Sequence, residues 1–190
     1  MPEHGVEMRT LHVIALSSAL AALSGGVAEA QSYAGRPGQH VTRFDVEPHV
    51  LFDYGFNRGP GDYGGGFGAG IRFGIPLMRN GPVPSINDSL VLSLGADFTW
   101  WSGHHDQNSV WVASDVVIPV MLQWNFYLAP AFSLFPEAGI AVAFPGCSGC
   151  GVYAAPGLAL GGRIHFSDGG YPALVIRIGF PMGLTAGIAF

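Results

Sequence analysis

From residue 43 to the end of the chain, apolar side chains recur at every second position. Phe44, Val46, Pro48, Val50, Phe52 and Tyr54 share one parity, followed by Phe67, Ala69, Ile71, Phe73 and Ile75, then Leu90, Leu92, Leu94, Ala96, Phe98 and Trp100. The same rhythm returns at Val116, Ile118, Val120, Leu122, Trp124 and Phe126, and again through 132–144 and 152–166. A period of two puts successive side chains on opposite faces of a β-strand, and the Gly, Pro, Asn and Asp clusters between the stretches are turn formers. The pattern predicts strands over 43–56, 66–77, 89–100, 111–128, 132–144 and 152–166. From Leu174 to Phe190 the alternation is unbroken. One long strand produces that, and so does a hairpin with the three-residue loop Pro181-Met182-Gly183, because an odd loop preserves the parity of each face. Pro at a first corner and Gly at a left-handed position favour the hairpin. The count is then eight, and an even count brings both ends of a barrel to the same side. The eighth strand is short, about seven residues against the 9–11 that usually span a bilayer.

Alternation alone does not say which face is inside. The strand charges decide it: Asp45, Glu47, Asp53, Arg72, Asp97, Asp115, Glu137, Arg163 and Arg177 all lie on the parity opposite the apolar stripe. That parity is also crowded with glycine, as at 68, 70, 74, 95, 139, 157, 161, 179 and 187. A solvent-facing side would carry Lys, Glu and Thr instead. Lipid rejects charge, at roughly 2–4 kcal/mol for a midplane Arg or Lys, and the interior of an eight-stranded barrel is just wide enough for side chains to fill. Aromatic residues gather toward strand ends, with Tyr54, Phe56, Trp100, Trp101 and Trp111 at one end and Trp124, Phe126, Tyr127, Phe132, Phe166, Tyr171 and Phe190 at the other. Two such girdles mark membrane interfaces. The expected fold is all-β, an eight-stranded antiparallel up-and-down transmembrane β-barrel over residues 43–190. The competing reading is a soluble barrel of lipocalin type, apolar face inward, holding an apolar ligand.

Composition sharpens this picture. Half of the 190 residues are hydrophobic, 11% are charged, and there is no Lys, whereas a soluble domain carries about a quarter charged residues. Arg9, the apolar run 11–23 and the small-residue box Ala28-Glu29-Ala30 have the order of a cleaved secretory signal over residues 1–30. Its apolar run is too short to span a bilayer, and no later stretch reaches about 18 consecutive apolar residues. Residues 31–42 are expected to form a flexible lead-in. Removing 1–30 takes away Arg9, Glu3, Glu7 and Glu29, which leaves seven basic and ten acidic residues. A net charge of that sign gives no reason to expect nucleic-acid binding.

The alternating strand that ends on Phe190, together with "VMLQWNFYLAPAFSLFPEAGIA" and "GGRIHF…ALVIRIGFP", resembles small bacterial outer-membrane barrels of the OmpA/OmpX type, and within them a proteobacterial group to which no activity is attached. The resemblance covers residues 43–190. It implies the outer membrane of a Gram-negative bacterium, with outer-membrane lipid, lipopolysaccharide and an unidentified extracellular ligand as partners. It also implies that the outer-membrane insertion machinery reads Phe190 as its signal. No catalysis and no cofactor follow from it. Both ends of the barrel chain would be periplasmic, with outward loops at 56–64, 102–109, 145–150 and 181–183, and periplasmic turns at 78–87, 129–131 and 167–171. The 78–87 turn is long for that side.

Candidate chemistry is sparse. Arg72, Arg163 and Arg177 are expected to face Glu47, Asp97 and Glu137 across the interior, as paired charges that fill the lumen or line a narrow ion path. His49, Gln123, Asn125, Tyr127 and His165 complete that polar interior. Cys147 and Cys150 are candidates for a small loop disulfide, since the chain reads as exported and all-β, and two Cys alone are a weak metal signal. His104-His105-Asp106 reads as a polar loop; no third ligand accompanies the two imidazoles. His165-Phe166-Ser167 resembles the HxS pair of outer-membrane lipid A deacylases, which are also eight-stranded and which pair it with a Glu. Asp168 stands where that family has Asn, and the turn it enters falls on the periplasmic side. The Gly-rich 64–74 stretch lacks the GK[ST] and following helix of a phosphate loop.

Overall fold

The structure is a computed structural model, and it describes residues 33–53, 64–106, 109–146, 151–167, 170–181 and 183–190. Eight strands follow in order: β1 (Asp45–Asp53), β2 (Gly64–Met78), β3 (Asp88–Asp106), β4 (Ser109–Ala129), β5 (Phe132–Pro145), β6 (Tyr153–His165), β7 (Ala173–Phe180) and β8 (Gly183–Ala189). Each pairs antiparallel with its sequence neighbours, and β1 pairs with β8, so the sheet closes into an up-and-down barrel. Closure removes the two free edges that an open sheet would have. Beyond the β1–β8 ladder, Phe190 and Val46 exchange backbone hydrogen bonds of 3.0 and 3.4 Å.

The registers fix the stagger. Starting at Val50, one path crosses Ala69 and Phe98 to reach Val116 on β4. The opposite path crosses Ala186, Ile176, Gly162 and Leu134 and arrives at Phe126. The circuit therefore closes ten residues out of step, and a stagger of that kind goes with strands tilted by roughly 35–45° to the barrel axis. The β7–β8 connection is the expected hairpin, and Gly183 takes the left-handed conformation there (φ 68°).

The apolar stripe faces outward. Leu158 and Ile178 are each 62% exposed, while Arg72 is 1% and Glu137 3% exposed. Ile118 is also exposed, and Leu92 lies on the same outer face. Three expected girdle members do not belong to it. Trp101 and Tyr127 point inward and are buried, and Tyr171 turns toward Asp45 in the interior. Each sits on the inward parity or in a turn, so its position near a strand end did not determine which way it faces.

Most of the segment expected as an outward loop at 102–109 is strand: residues 102–106 belong to β3 and Ser109 opens β4, while 107 and 108 lie outside the described residues. Strands β3 and β4 stay paired to Asp106 and Ser109, so His104, His105 and Asp106 are strand residues, with a register shift between His104 and Asp106. A long hairpin needs only its own backbone ladder, and polar composition therefore misreads it as a loop. Cys147, Cys150 and Asp168 lie outside the described residues.

One end of the barrel, called here the terminal end, gathers residues 33–44, the turns after β2, β4 and β6, and Phe190. The other is the loop end. Residues 33–42, expected as a flexible lead-in, form a strap tied to the terminal end. Tyr33 is buried and donates to the Gln39 carbonyl (2.8 Å), and Asn87 N–H donates to the Ala34 carbonyl (2.6 Å). His40 stacks flat on Tyr127 (3.9 Å between rings, 8°), with its nitrogens 2.6 Å from Asn87 Oδ1 and 2.7 Å from the Arg79 carbonyl. This explains the unusual length of the 78–87 turn, which is the platform on which the strap lies.

Candidate functional site: the ionic interior

Alternation aims Glu47, Arg72, Asp97, Glu137, Arg163 and Arg177 at the barrel axis, and glycines on neighbouring strands make room for them. A Cβ on Gly95 would run into the Arg72 guanidinium, one on Gly70 into Asp97 and His49, and one on Gly74 into Asp45. The charges form three tiers. Nearest the loop end, Arg72 binds Asp97 through two hydrogen bonds (3.0 and 2.7 Å), and His49 Nε2 lies 3.0 Å from the same carboxylate. In the middle, Arg177 binds Glu47 through both terminal nitrogens (2.9 and 3.2 Å), its Nε is 3.0 Å from Glu137 Oε2, and it donates to Thr185 (3.3 Å). At the terminal end, Arg163 donates to Asp45 (2.8 Å), and Tyr171 donates to the same oxygen (2.7 Å). Arg163 Nη2 is 3.9 Å from Glu47, which links the lower two tiers.

Sequence reasoning grouped six of these side chains but missed how they pair. Asp45 was visible as an inward strand charge, yet its partners Arg163 and Tyr171 are 118 and 126 residues away. Phe135 was missed entirely. It is a fully buried aromatic ring on the polar parity, with the guanidinium carbons of Arg163 and Arg177 at 5.5 and 5.3 Å from its centre. Cation–π contact of this kind strengthens away from water. The available signal was Gly161, paired with Phe135 across β5 and β6, where an added Cβ collides with the ring. Gly161→Ala is therefore expected to cost about 1–3 kcal/mol in denaturant unfolding, with part of the loss recovered by Phe135→Leu in the same chain.

Below the tiers, a polar chain runs from Gln123 to Asn125, Ser89 and Tyr127, and from there to Thr42 of the strap. Above them, the interior is lined by Leu51, Thr99, Met121, Ala141 and Ala143. His165 donates or accepts at Ser133 (3.0 Å) and meets the Gly170 carbonyl (2.9 Å), so both ring nitrogens are engaged away from Ser167. Ser167 Oγ donates to the Tyr171 carbonyl. Among the described residues, no group of three or more His, Cys, Asp or Glu is placed to hold a metal.

Burial pushes the Tyr171 phenol up from its ordinary value, and the Asp45 carboxylate adds to the rise against the opposing pull of Arg163. The folded barrel thus resists losing that proton, whereas the unfolded chain loses it above about pH 10. Stability is expected to fall as pH climbs past 10, because the unfolded state then binds fewer protons. Tyr171→Phe should flatten that fall in unfolding midpoints measured between pH 8 and 11.

These features define a class: a closed eight-stranded, up-and-down antiparallel β-barrel with an apolar exterior and an ionic interior. No protein-family model matches the chain, and no curated protein matches its sequence.

Proposed function

We propose that this chain is an integral outer-membrane β-barrel with a structural or surface-interaction role, exported through the signal at 1–30. Its lumen is filled by arginine–carboxylate pairs, and it carries no catalysis. The observation behind this reading is the inverted polarity of the barrel: bulky apolar side chains cover the outside while the carboxylates of Asp45, Glu47, Asp97 and Glu137 and the guanidiniums of Arg72, Arg163 and Arg177 are buried within. Exposed aromatics bracket that apolar surface. Phe44, Phe132, Phe166 and Phe190 ring the terminal end, and Phe67, Trp100 and Phe144 ring the loop end. On β5 the two belts are separated by the run from Phe132 to Phe144. At ~3.3 Å per residue and a tilt near 40°, that run rises about 30 Å, close to a bilayer's hydrocarbon thickness. Trp124 suits an interface, its ring on the outer wall and its N–H donating to Asp88 (2.8 Å).

The ion pairs cross the lumen on three levels, which supports a filled barrel over a narrow solute channel. The engagement of His165 by Ser133 and Gly170 likewise supports a non-catalytic reading over lipid A deacylation, for which Ser167 would need a free base. The expected results are heat-modifiable gel migration, recovery in the outer-membrane fraction, resistance to carbonate extraction, and no steady conductance steps in planar bilayers. Release by carbonate would sink the membrane reading, and reproducible single-channel steps would favour the channel. Lipid A acylation should be the same with Ser167→Ala as with the wild type.

A further inference from the structure

The exposed ionic side chains at the terminal end are, among the described residues, all of one sign. Arg36 and Arg43 stand on the strap and its exit, and Arg79 on the turn beneath. The described acids at this end are both buried and engaged, Asp45 by Arg163 and Tyr171, Asp88 by the Trp124 indole. The ion pairs of the barrel lie in its interior, so none of them neutralises this rim. The strap assembles the surface. His40 joins it to the Arg79 carbonyl and to Asn87, Gly38 packs beside Asn80, and Arg43 lies over the Tyr171 ring at 4.7 Å. The aromatic belt of Phe44, Phe166 and Phe190 lies at the same end, so the guanidiniums sit just past the apolar band, at the height of lipid headgroups.

We propose that the strap-built rim of Arg36, Arg43 and Arg79 is a contact surface for anionic phospholipid headgroups, recognising their phosphate charge in the leaflet at the terminal end. This rests on the membrane reading above. Guanidinium matches phosphate geometry through paired N–H donors, and each basic residue at a charged membrane surface favours binding by about fivefold. Three separate arginines, one on the tethered strap, one at its exit and one on the turn beneath, make that preference additive and sensitive to salt.

The test uses the full exported chain folded into vesicles of phosphatidylcholine with one-fifth phosphatidylglycerol, then extracted in neutral detergent and weighed intact by mass spectrometry. The barrel is expected to retain phosphatidylglycerol well beyond its bulk share. Arg36→Gln, which removes an exposed side chain with no partner inside the barrel, should reduce the enrichment about fivefold, and the triple variant with Arg43→Gln and Arg79→Gln should abolish it. Half-molar salt during extraction should do the same. Retention of the two lipids in their bulk ratio overturns the inference alone, as does displacement by millimolar inorganic phosphate, which would mark a free-anion site. A chain that stays in the supernatant, with no heat-shifted band, overturns the membrane reading and this inference together.

Discussion

Arg177→Met is expected to destabilise the barrel by about 3–5 kcal/mol, measured as a shifted urea midpoint of the folded protein. Arg177 is 1% exposed and is the shared partner of Glu47 and Glu137. Removing it leaves buried Glu137 without its arginine and buried Glu47 with only the longer contact to Arg163, and an uncompensated buried charge is far costlier than a missing bond. The lost contact with Phe135 adds to the effect. The loss belongs to the stranded charges and not to the arginine as such. Arg177→Met combined with Glu47→Gln and Glu137→Gln is accordingly expected to recover most of the stability, since buried ion sets replaced as a whole are often near neutral. If the single variant unfolds at the wild-type midpoint, the interior is wet and the lumen is not filled as described.

Ile178→Arg tests the exterior. Ile178 lies mid-strand on β7 and is 62% exposed, facing away from the ionic interior. In a bilayer an arginine at this depth costs roughly 2–4 kcal/mol, so the variant should fold poorly into vesicles and unfold at lower denaturant. In water the same change lies in the range of an ordinary surface substitution, within about 0.5 kcal/mol. The outcome separates the two environments: an undiminished midpoint in vesicles would refute a lipid-facing outer wall. Arg177 and Ile178 are adjacent in sequence and opposite in side, so the pair of variants reads the two faces of one strand.

How much of this was legible in the chain differs by level. The eight strands, their order and the hairpin at 181–183 follow from period two and turn chemistry, because backbone pleating forces neighbouring side chains to opposite faces. The inward set Glu47, Arg72, Asp97, Glu137, Arg163 and Arg177 was readable for the same reason. Polar composition misled at His104–Asp106, where a long ladder continues on backbone pairing alone. The strap misled in the opposite way. Residues 33–42 carry no strand pattern, and what orders them is an imidazole stacked on Tyr127 and bonds to a turn more than 40 residues on.

Sequence by itself determined the wall: where strands run, which side chains share a face, and that one face is oily and the other charged. Only the tertiary structure decided the pairing within, namely that Asp45 rather than Glu47 holds Arg163 closest, that Arg177 serves two glutamates, and that Phe135 is wedged among guanidiniums over Gly161. The reason is geometric. Parity is a local property of the backbone, whereas which inward side chains meet depends on the ten-residue stagger with which the sheet closes on itself, and that is fixed only when β8 finds β1.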